Sequence, residues 1–258
     1  MNLRFAAVLL LPCGLAHGDP RYTQNDFGGV GLLQTPTARM APAGELSANA
    51  NRTDPYSRYS FSLQPFDWLE GSFRYTAISN RRYGAEALSG SQSFKDKAID
   101  FKARLWEESR WAPQVAFGAR DIGGTGLFSS EYFVANKRHG NLDFSLGIAW
   151  GYLGNRGDFG NPLSVFGSKF NDRPKSTAVV ARAGDVNSNA YFRGRPSLFG
   201  GIAYQTPWEP LSLKLEYEGS CWLRSGVGVS RSSLRIGTRI LLPGAATTPS
   251  SRFHAATP

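Results

Sequence analysis

Leu142-Asp143-Phe144-Ser145-Leu146-Gly147-Ile148-Ala149-Trp150-Gly151-Tyr152 alternates large apolar residues with small or polar ones over its whole length. In an extended chain successive side chains point to opposite faces. Leu142, Phe144, Leu146, Ile148, Trp150 and Tyr152 therefore share one face, and Asp143, Ser145, Gly147, Ala149 and Gly151 share the other. A helix would scatter both sets around its circumference, so this period of two decides for a strand with two unlike faces. In a membrane-spanning strand the large face meets lipid and Leu146 lies near mid-depth. The small face then leaves room for a plug or a polymer, and Gly147→Ser is expected to be far milder than Leu146→Arg.

The same period continues on both sides. In Glu45–Asn51, Leu46, Ala48 and Ala50 alternate with Ser47 and Asn49. In Ser57–Gln64, Tyr59, Phe61 and Leu63 oppose Arg58, Ser60, Ser62 and Gln64. Leu69–Ile78, Ala98–Trp106, Pro113–Asp121, Ser130–Lys137, Ser197–Gln205 and Leu211–Glu218 complete a set of nine expected strands, close to the ~9–11 residues that a membrane-spanning strand needs. Short turns at 65–68, 109–113, 138–141 and 206–210 alternate with longer links at 79–97, 122–129 and 153–196. Short turns at one end and long loops at the other are the outer-membrane pattern. Trp68, Trp111 and Trp208 in the short turns suit an interfacial aromatic girdle. The fold class is therefore all-β, an antiparallel transmembrane β-barrel over residues 45–220, incomplete at nine or ten strands. A closed bacterial barrel has an even strand count, and Ser233–Leu241 alternates well enough to be a tenth strand. The strand-like residues 176–183 are placed in a surface or lumen insertion.

Residues 1–18 read as an export signal: Arg4, then an apolar run from Phe5 to Leu11, then small residues at Ala16 and Gly18 before Asp19. The competing reading puts a lipid on Cys13, which Pro12 fits poorly. Residues 19–44 form an N-terminal segment before the barrel. The tail 221–258 carries five arginines and no acid, and reads as divergent, non-native or frame-shifted sequence that packs poorly. Setting aside Arg4 and those five arginines leaves 23 basic against 20 acidic residues, a net of +3 instead of +9. A chain so mildly basic has little of the charge footprint of nucleic-acid binding. Two cysteines and three histidines, two of which lie in the leader and tail, leave almost no material for a metal site or a histidine-based triad.

Five ordered stretches resemble the YjbH/GfcD-type outer-membrane family of exopolysaccharide and capsule biosynthesis. They are Gly31-Leu32-Leu33-Gln34-Thr35-Pro36-Thr37-Ala38-Arg39-Met40; Leu63-Gln64-Pro65-Phe66-Asp67-Trp68-Leu69-Glu70 with Phe73-Arg74-Tyr75; the glycine-rich run from Gly118 through Asp121-Ile122-Gly123-Gly124-Thr125-Gly126 to Tyr132; Gly147 to Gly154; and Leu215-Glu216-Tyr217-Glu218-Gly219. Together they span about residues 27–219. Members of that family are longer and look like two consecutive barrels, so the resemblance implies most of the first one.

The polar strand face supplies the candidate functional residues: Arg58, Arg74, Asp100, Lys102, Arg104, Arg120, Lys214 and Glu216, expected to face the lumen. No catalytic, cofactor-binding or metal-binding set is read. The glycine-rich run lacks the helix that a phosphate cradle needs after it and is expected to be a loop or an inward-folded turn. The pairs Glu107-Glu108 and Glu216 with Glu218 invite a glycosidase reading, but Lys214 shares the face of the second pair and a charged lumen wall explains it better. The expectation is a non-enzymatic outer-membrane protein of exopolysaccharide secretion, with lipid, polysaccharide and other envelope export proteins as partners. Polymer contact is assigned to the lumen and to loop residues such as Tyr83, Phe159, Arg81 and Arg82. The alternative is a soluble periplasmic β-sandwich that binds or modifies polysaccharide.

Overall fold

A computed structural model describes residues 22–174, 188–208 and 211–218, and the backbone of 233–240. The leader, residues 176–183 and most of the tail lie outside the described residues. The chain forms one antiparallel sheet in strict sequence order. Its strands are β1 (Leu46–Thr53), β2 (Tyr56–Phe66), β3 (Leu69–Arg82), β4 (Ser93–Trp106), β5 (Gln114–Arg120), β6 (Ser130–His139), β7 (Leu142–Gly151), β8 (Ser197–Gln205), β9 (Leu211–Glu218) and β10 (Ser233–Ile240). No described helix is long and apolar enough to cross a membrane. The backbone of β10 pairs along all of β9, from Ser233 opposite Glu218 to Ile240 opposite Leu211. The link expected at 79–97 is shorter. Strands β3 and β4 run on to Arg82 and back from Ser93, leaving only Tyr83–Gln92 with a one-turn helix, α1 (Glu86–Ser89). Ser79, Asn80, Arg81 and Arg82 are polar and exposed, so the ladder continues where the apolar period has stopped.

The two faces are inverted relative to a water-soluble protein. Arg58 and Arg74 have no exposed surface and Lys102 only 1%, whereas Leu146 is 63% and Phe61 58% exposed. Phe73, Ile99, Leu105, Phe144, Leu198, Leu213 and Tyr217 continue that exposed apolar face from β3 to β9. Among the described residues no second sheet covers it.

The polar face curls into a half-barrel around residues 22–40. That segment has no regular structure beyond two isolated bridges, Gln24 with Val30 and Gly31 with Pro36. Strand β1 reaches it through Asn49, which donates to the Asn25 carbonyl at 2.9 Å. Strand β9, at the far side of the sheet, reaches it through Lys214, which donates to the Gly31 and Leu32 carbonyls at 3.0 and 2.9 Å. One short segment is thus held from both margins of the sheet. Among the described residues β1 and β10 do not pair with each other.

Not all of the inner face is polar. Ala38, Ala116, Tyr132, Val134, Ala149, Leu153 and Phe199 form one buried apolar cluster, and Phe27, Ile78, Phe94 and Phe128 form a second. The first corrects an expectation about Gly147. It faces inward, but the room beside it is filled: a β-carbon there would lie 2.3 Å from the tip of the Phe199 ring and 2.7 Å from the Phe133 carbonyl oxygen. Phe199 sits opposite Gly147 on β8, and an aromatic lying across a cross-strand glycine occupies the volume that the missing side chain frees. Gly147→Ser is therefore a crowding change and not a mild control.

Candidate functional site

An irregular segment inside a sheet brings backbone N–H and C=O groups that must find partners. Charged inner residues supply them, and they work in opposite-sign pairs. Glu70 and Lys102 face each other across β3 and β4 and form an ion pair at 3.2 Å. Glu70 accepts the Val30 N–H at 3.0 Å, and Lys102 donates to the Val30 carbonyl at 3.1 Å. One residue, Val30, is gripped at both its backbone N–H and its C=O.

Two residues apart on β9, Lys214 and Glu216 repeat the arrangement. Lys214 takes the Gly31 and Leu32 carbonyls and also the Thr23 hydroxyl. Glu216 accepts the backbone N–H groups of Leu33, Gln34 and Thr35, each at 2.9 Å to Oε2, and the Thr35 hydroxyl at 2.9 Å. Arg120 donates to the Gln34 carbonyl at 2.8 Å. Further along, Asn136 accepts the Ala38 N–H at 2.7 Å and Gln114 donates to the Ala38 carbonyl at 2.6 Å. A charge whose hydrogen bonds are made can be buried at tolerable cost.

Phe27 is the apolar anchor of the segment. The guanidinium carbons of Arg58, Arg74 and Arg120 lie 4.7, 4.7 and 4.1 Å from its ring centre. Arg58 also lies 4.6 Å from the Tyr56 ring, and Phe128 packs edge-on to Phe27 at 5.8 Å. A ring attracts cations without carrying a charge, each contact contributing up to about 2 kcal/mol when water is excluded. Arg74 further meets Asp100 at 3.4 Å.

At the short-turn end Arg39 closes the segment. It donates to both Asp143 oxygens at 2.9 and 2.8 Å, to Gln114 at 3.0 Å, and pairs with Glu108 at 2.7 Å. Partial burial alone would raise the Glu108 pKa. Hydrogen bonds from the Arg138 amide, Arg39 and Lys137 outweigh that effect and hold it below the usual carboxylate range.

At the opposite end the glycine-rich run takes the second of the two expected forms, the inward-folded turn. The Asp121 N–H donates to Asp100 at 2.7 Å, Thr125 donates to Asp96 at 2.5 Å, and Asp121 accepts the Phe128 N–H at 2.9 Å, seating Phe128 in the core. Gly124 is required there, since a β-carbon would fall 2.2 Å from the Lys97 carbonyl oxygen. Burial first, and the nearby Asp96 second, push the Asp121 carboxyl up to about 7.

Outside the sheet, the loop between β7 and β8 covers one acid. Glu131 has the outward parity of β6 and is only 1% exposed. Arg173 grips it with two bonds, at 2.7 and 2.9 Å, and the Phe192 N–H adds a third at 2.9 Å. The Phe192 ring stacks on Phe117 and Phe133.

Seven of the eight residues read from the sequence therefore lie buried on one inner face: Arg58, Arg74, Asp100, Lys102, Arg120, Lys214 and Glu216. Arg104 is half-buried at the short-turn end and pairs with the exposed Glu107 at 2.7 Å. Of the carboxylate pairs, Glu107 and Glu108 are tied into ion pairs, and both Glu216 oxygens accept backbone N–H groups. Sequence reasoning did not single out Phe27, Arg39, Asn136, Asp143 or Arg173. The first two lie in a segment without period, and the third and fourth looked like ordinary wall residues. Arg173 sits in a long link with nothing to mark its partner.

The stretches that meet here are those of the sequence resemblance: 31–40 supplies the held peptide, 63–70 supplies Glu70, 118–132 supplies Arg120 and the inward turn, and 215–219 supplies Glu216. Residues 23–237 match the model of the family described as exopolysaccharide biosynthesis protein YbjH. The chain belongs to the YjbH exopolysaccharide biosynthesis family. The match takes in the held segment and runs past residue 219, where the resemblance read from the sequence ended. The chain is 56% identical over 207 residues to an Escherichia coli K12 protein named uncharacterized lipoprotein YjbH, a match covering 80% of this chain and 29% of that relative. The chain thus spans less than a third of the length of that YjbH relative. No solved structure matches.

Proposed function

We propose that this YjbH-family chain is an outer-membrane β-barrel component of exopolysaccharide biosynthesis and secretion, with no catalytic centre of its own. The observation that carries the reading is the inversion of the sheet. Large apolar side chains are exposed on eight of the nine strands β1 to β9, while charges lie buried within. Lipid is the surrounding that makes such a face stable. The dimensions agree. On β4 the outward series runs from Lys97 through Ile99, Phe101 and Ala103 to Leu105, with Trp106 at its end. Nine steps of about 3.3 Å, tilted by about 35–45°, rise roughly 21–24 Å, near the ~25 Å apolar band of outer-membrane barrels. Phe66 and Trp68, stacked at 5.7 Å, and the exposed Trp106 and Trp111 mark the short-turn end.

The name of the Escherichia coli relative supports a lipid on Cys13. Tyr22 donates to Glu45, just before β1, at the short-turn end of the sheet. Nine residues can span at most ~30 Å, so an acylated Cys13 would reach the periplasmic leaflet, which is where short turns belong. With residues 22–40 occupying the inner face, polymer contact moves to the long-loop end, where Tyr83, Arg81 and Arg82 are exposed and Phe159 is half-buried.

Membrane fractionation of cells tests this reading. The mature chain should sediment with outer membranes, resist carbonate extraction and take up labelled palmitate that is lost on Cys13→Ser. Recovery as a soluble periplasmic monomer would favour the sandwich and end the barrel reading.

A further inference from the structure

The strand registers sort the outward residues of β1 to β4 into rows. Arg52, Ser57, Ala77 and Lys95 form the row nearest the long-loop end. Ala50, Tyr59, Tyr75 and Lys97 form the next. Below them come Ala48, Phe61, Phe73 and Ile99, then Leu46, Leu63, Gly71 and Phe101. Two cations, then two tyrosines beside a third cation, then hydrocarbon follow each other over three rows. Among the described residues no outward position of these four strands is acidic.

The neighbouring charges leave the cations available. Arg52 is 75% exposed although it pairs with Asp54 at 3.2 Å. Lys95 donates to Ser93 at 2.7 Å, a neutral partner. Lys97 is exposed. Arg81 does not belong to the patch: it lies 4.2 Å from the ring of Phe94, which is buried on the inner side.

We propose that Arg52, Lys95 and Lys97 form a binding site for the phosphate groups of a phosphorylated glycolipid of the external leaflet, of the lipid A type. The site rests on the membrane reading above. A cation pointing outward at the rim of an apolar belt stands at headgroup depth, where each Lys or Arg gains from an anionic surface. Tyr59, 54% exposed, and Tyr75 share the row of Lys97, between Arg52 and Lys95 above and the hydrocarbon below, where amphipathic rings meet sugar on one side and acyl chain on the other. Charge complementarity and position at the long-loop end select this lipid over the uncharged or periplasmic-leaflet ones.

The test titrates the detergent-solubilised full chain with diphosphorylated lipid A, with its dephosphorylated form and with inorganic phosphate. The wild type should bind the diphosphorylated lipid, and its dissociation constant should rise about fivefold for each of Arg52→Gln, Lys95→Gln and Lys97→Gln, on the order of a hundredfold for the triple variant. All three positions are on the surface, and an unchanged near-ultraviolet circular dichroism spectrum confirms that the variants fold. Equal binding by the triple variant, equal binding of the dephosphorylated lipid, or displacement by equimolar inorganic phosphate overturns the proposal. Flotation with phosphatidylcholine liposomes, which carry no net charge, separates the two readings. A chain that floats but ignores lipid A sinks only the glycolipid site, whereas a chain that does not float sinks the membrane reading as well.

Discussion

Glu216→Gln exchanges one oxygen for an amide and leaves the shape of the side chain unchanged, so its effect isolates the charge. In the native chain Glu216 is fully buried, and its Oε2 accepts three backbone N–H groups and one hydroxyl, all at 2.9 Å. Hydrogen bonds to a charged group contribute about 1.5–3 kcal/mol each, and neutral ones about half as much. If the glutamine oxygen takes the Oε2 position, three amide bonds survive in weakened form and the loss is about 3 kcal/mol. The new amide group, lying where Oε1 accepts the Gln34 N–H at 3.2 Å, adds a donor facing a donor. The damage is local, because Glu216 grips only residues 33–35. Amide hydrogen exchange at Leu33, Gln34 and Thr35, followed in detergent micelles, should therefore accelerate on the order of a hundredfold. Cleavage by added protease within residues 22–40 should rise in parallel. Unchanged protection of those three amides would refute the clamp. If the variant instead lost a polysaccharide-cleaving activity while keeping its protection, Glu216 would be a catalytic acid and the non-enzymatic reading would fail.

Three further outcomes follow from the same geometry. Arg173→Met should cost about 3–5 kcal/mol, the range for leaving one buried charge unpaired, because Glu131 is 1% exposed and loses two bonds; denaturant unfolding measures it, and the double variant with Glu131→Gln should recover part of the loss. Burial pushes the Asp121 carboxyl up when folded, above its unfolded value, so the folded state binds the extra proton and stability should fall as pH rises from about 4 to about 7 and level off beyond; Asp121→Asn should reduce that falling limb, and a pH series of unfolding midpoints that keeps it at full size refutes the assignment. Leu146→Arg, on a residue 63% exposed on the outward face, should cost about 2–4 kcal/mol in vesicles if it lies near the midplane, and the cost should grow with bilayer thickness; a cost that is small and independent of thickness speaks against lipid contact.

Period two makes nine strands and their two faces legible from Leu142–Gly151 outward, because each strand meets a different surrounding on each side; Tyr152, read onto the large outer face, instead lies past β7 and packs against Phe27 and Phe128 on the inner side. The backbone of β10 falls where Ser233–Leu241 alternates. The ends of β3 and β4 were not legible, since Ser79 to Arg82 project past the apolar belt and carry no alternation. The charges of the inner wall were recognised as a set, but their use was not. Arg120 and Glu216 lie 86 and 182 residues in sequence from Gln34, whose C=O and N–H they hold, and no local pattern encodes which backbone group a charge will grip. Gly147 shows the same limit on a smaller scale: its inward direction follows from its parity, whereas the ring that fills the space comes from Phe199 on the next strand.

The pairing of signs explains why this inner wall holds a segment instead of merely lining a space. A peptide unit presents a donor and an acceptor on opposite sides, so a wall of one sign could satisfy only half of each. Glu70 and Lys102 take the N–H and the C=O on either side of Val30, and Glu216 with Lys214 and with Arg120 meets both halves of the Leu32–Leu33 and Gln34–Thr35 units. Free charged polymer would need no such matching, since its own groups repeat one sign and remain hydrated. The paired wall is therefore a receptor for backbone, and the residues it receives are those of the family-matching stretch from Gly31 to Arg39. The interior is occupied by this segment, which leaves the proposed exopolysaccharide contacts to the rim, where Tyr83, Arg81 and Arg82 stand exposed around the end of β3.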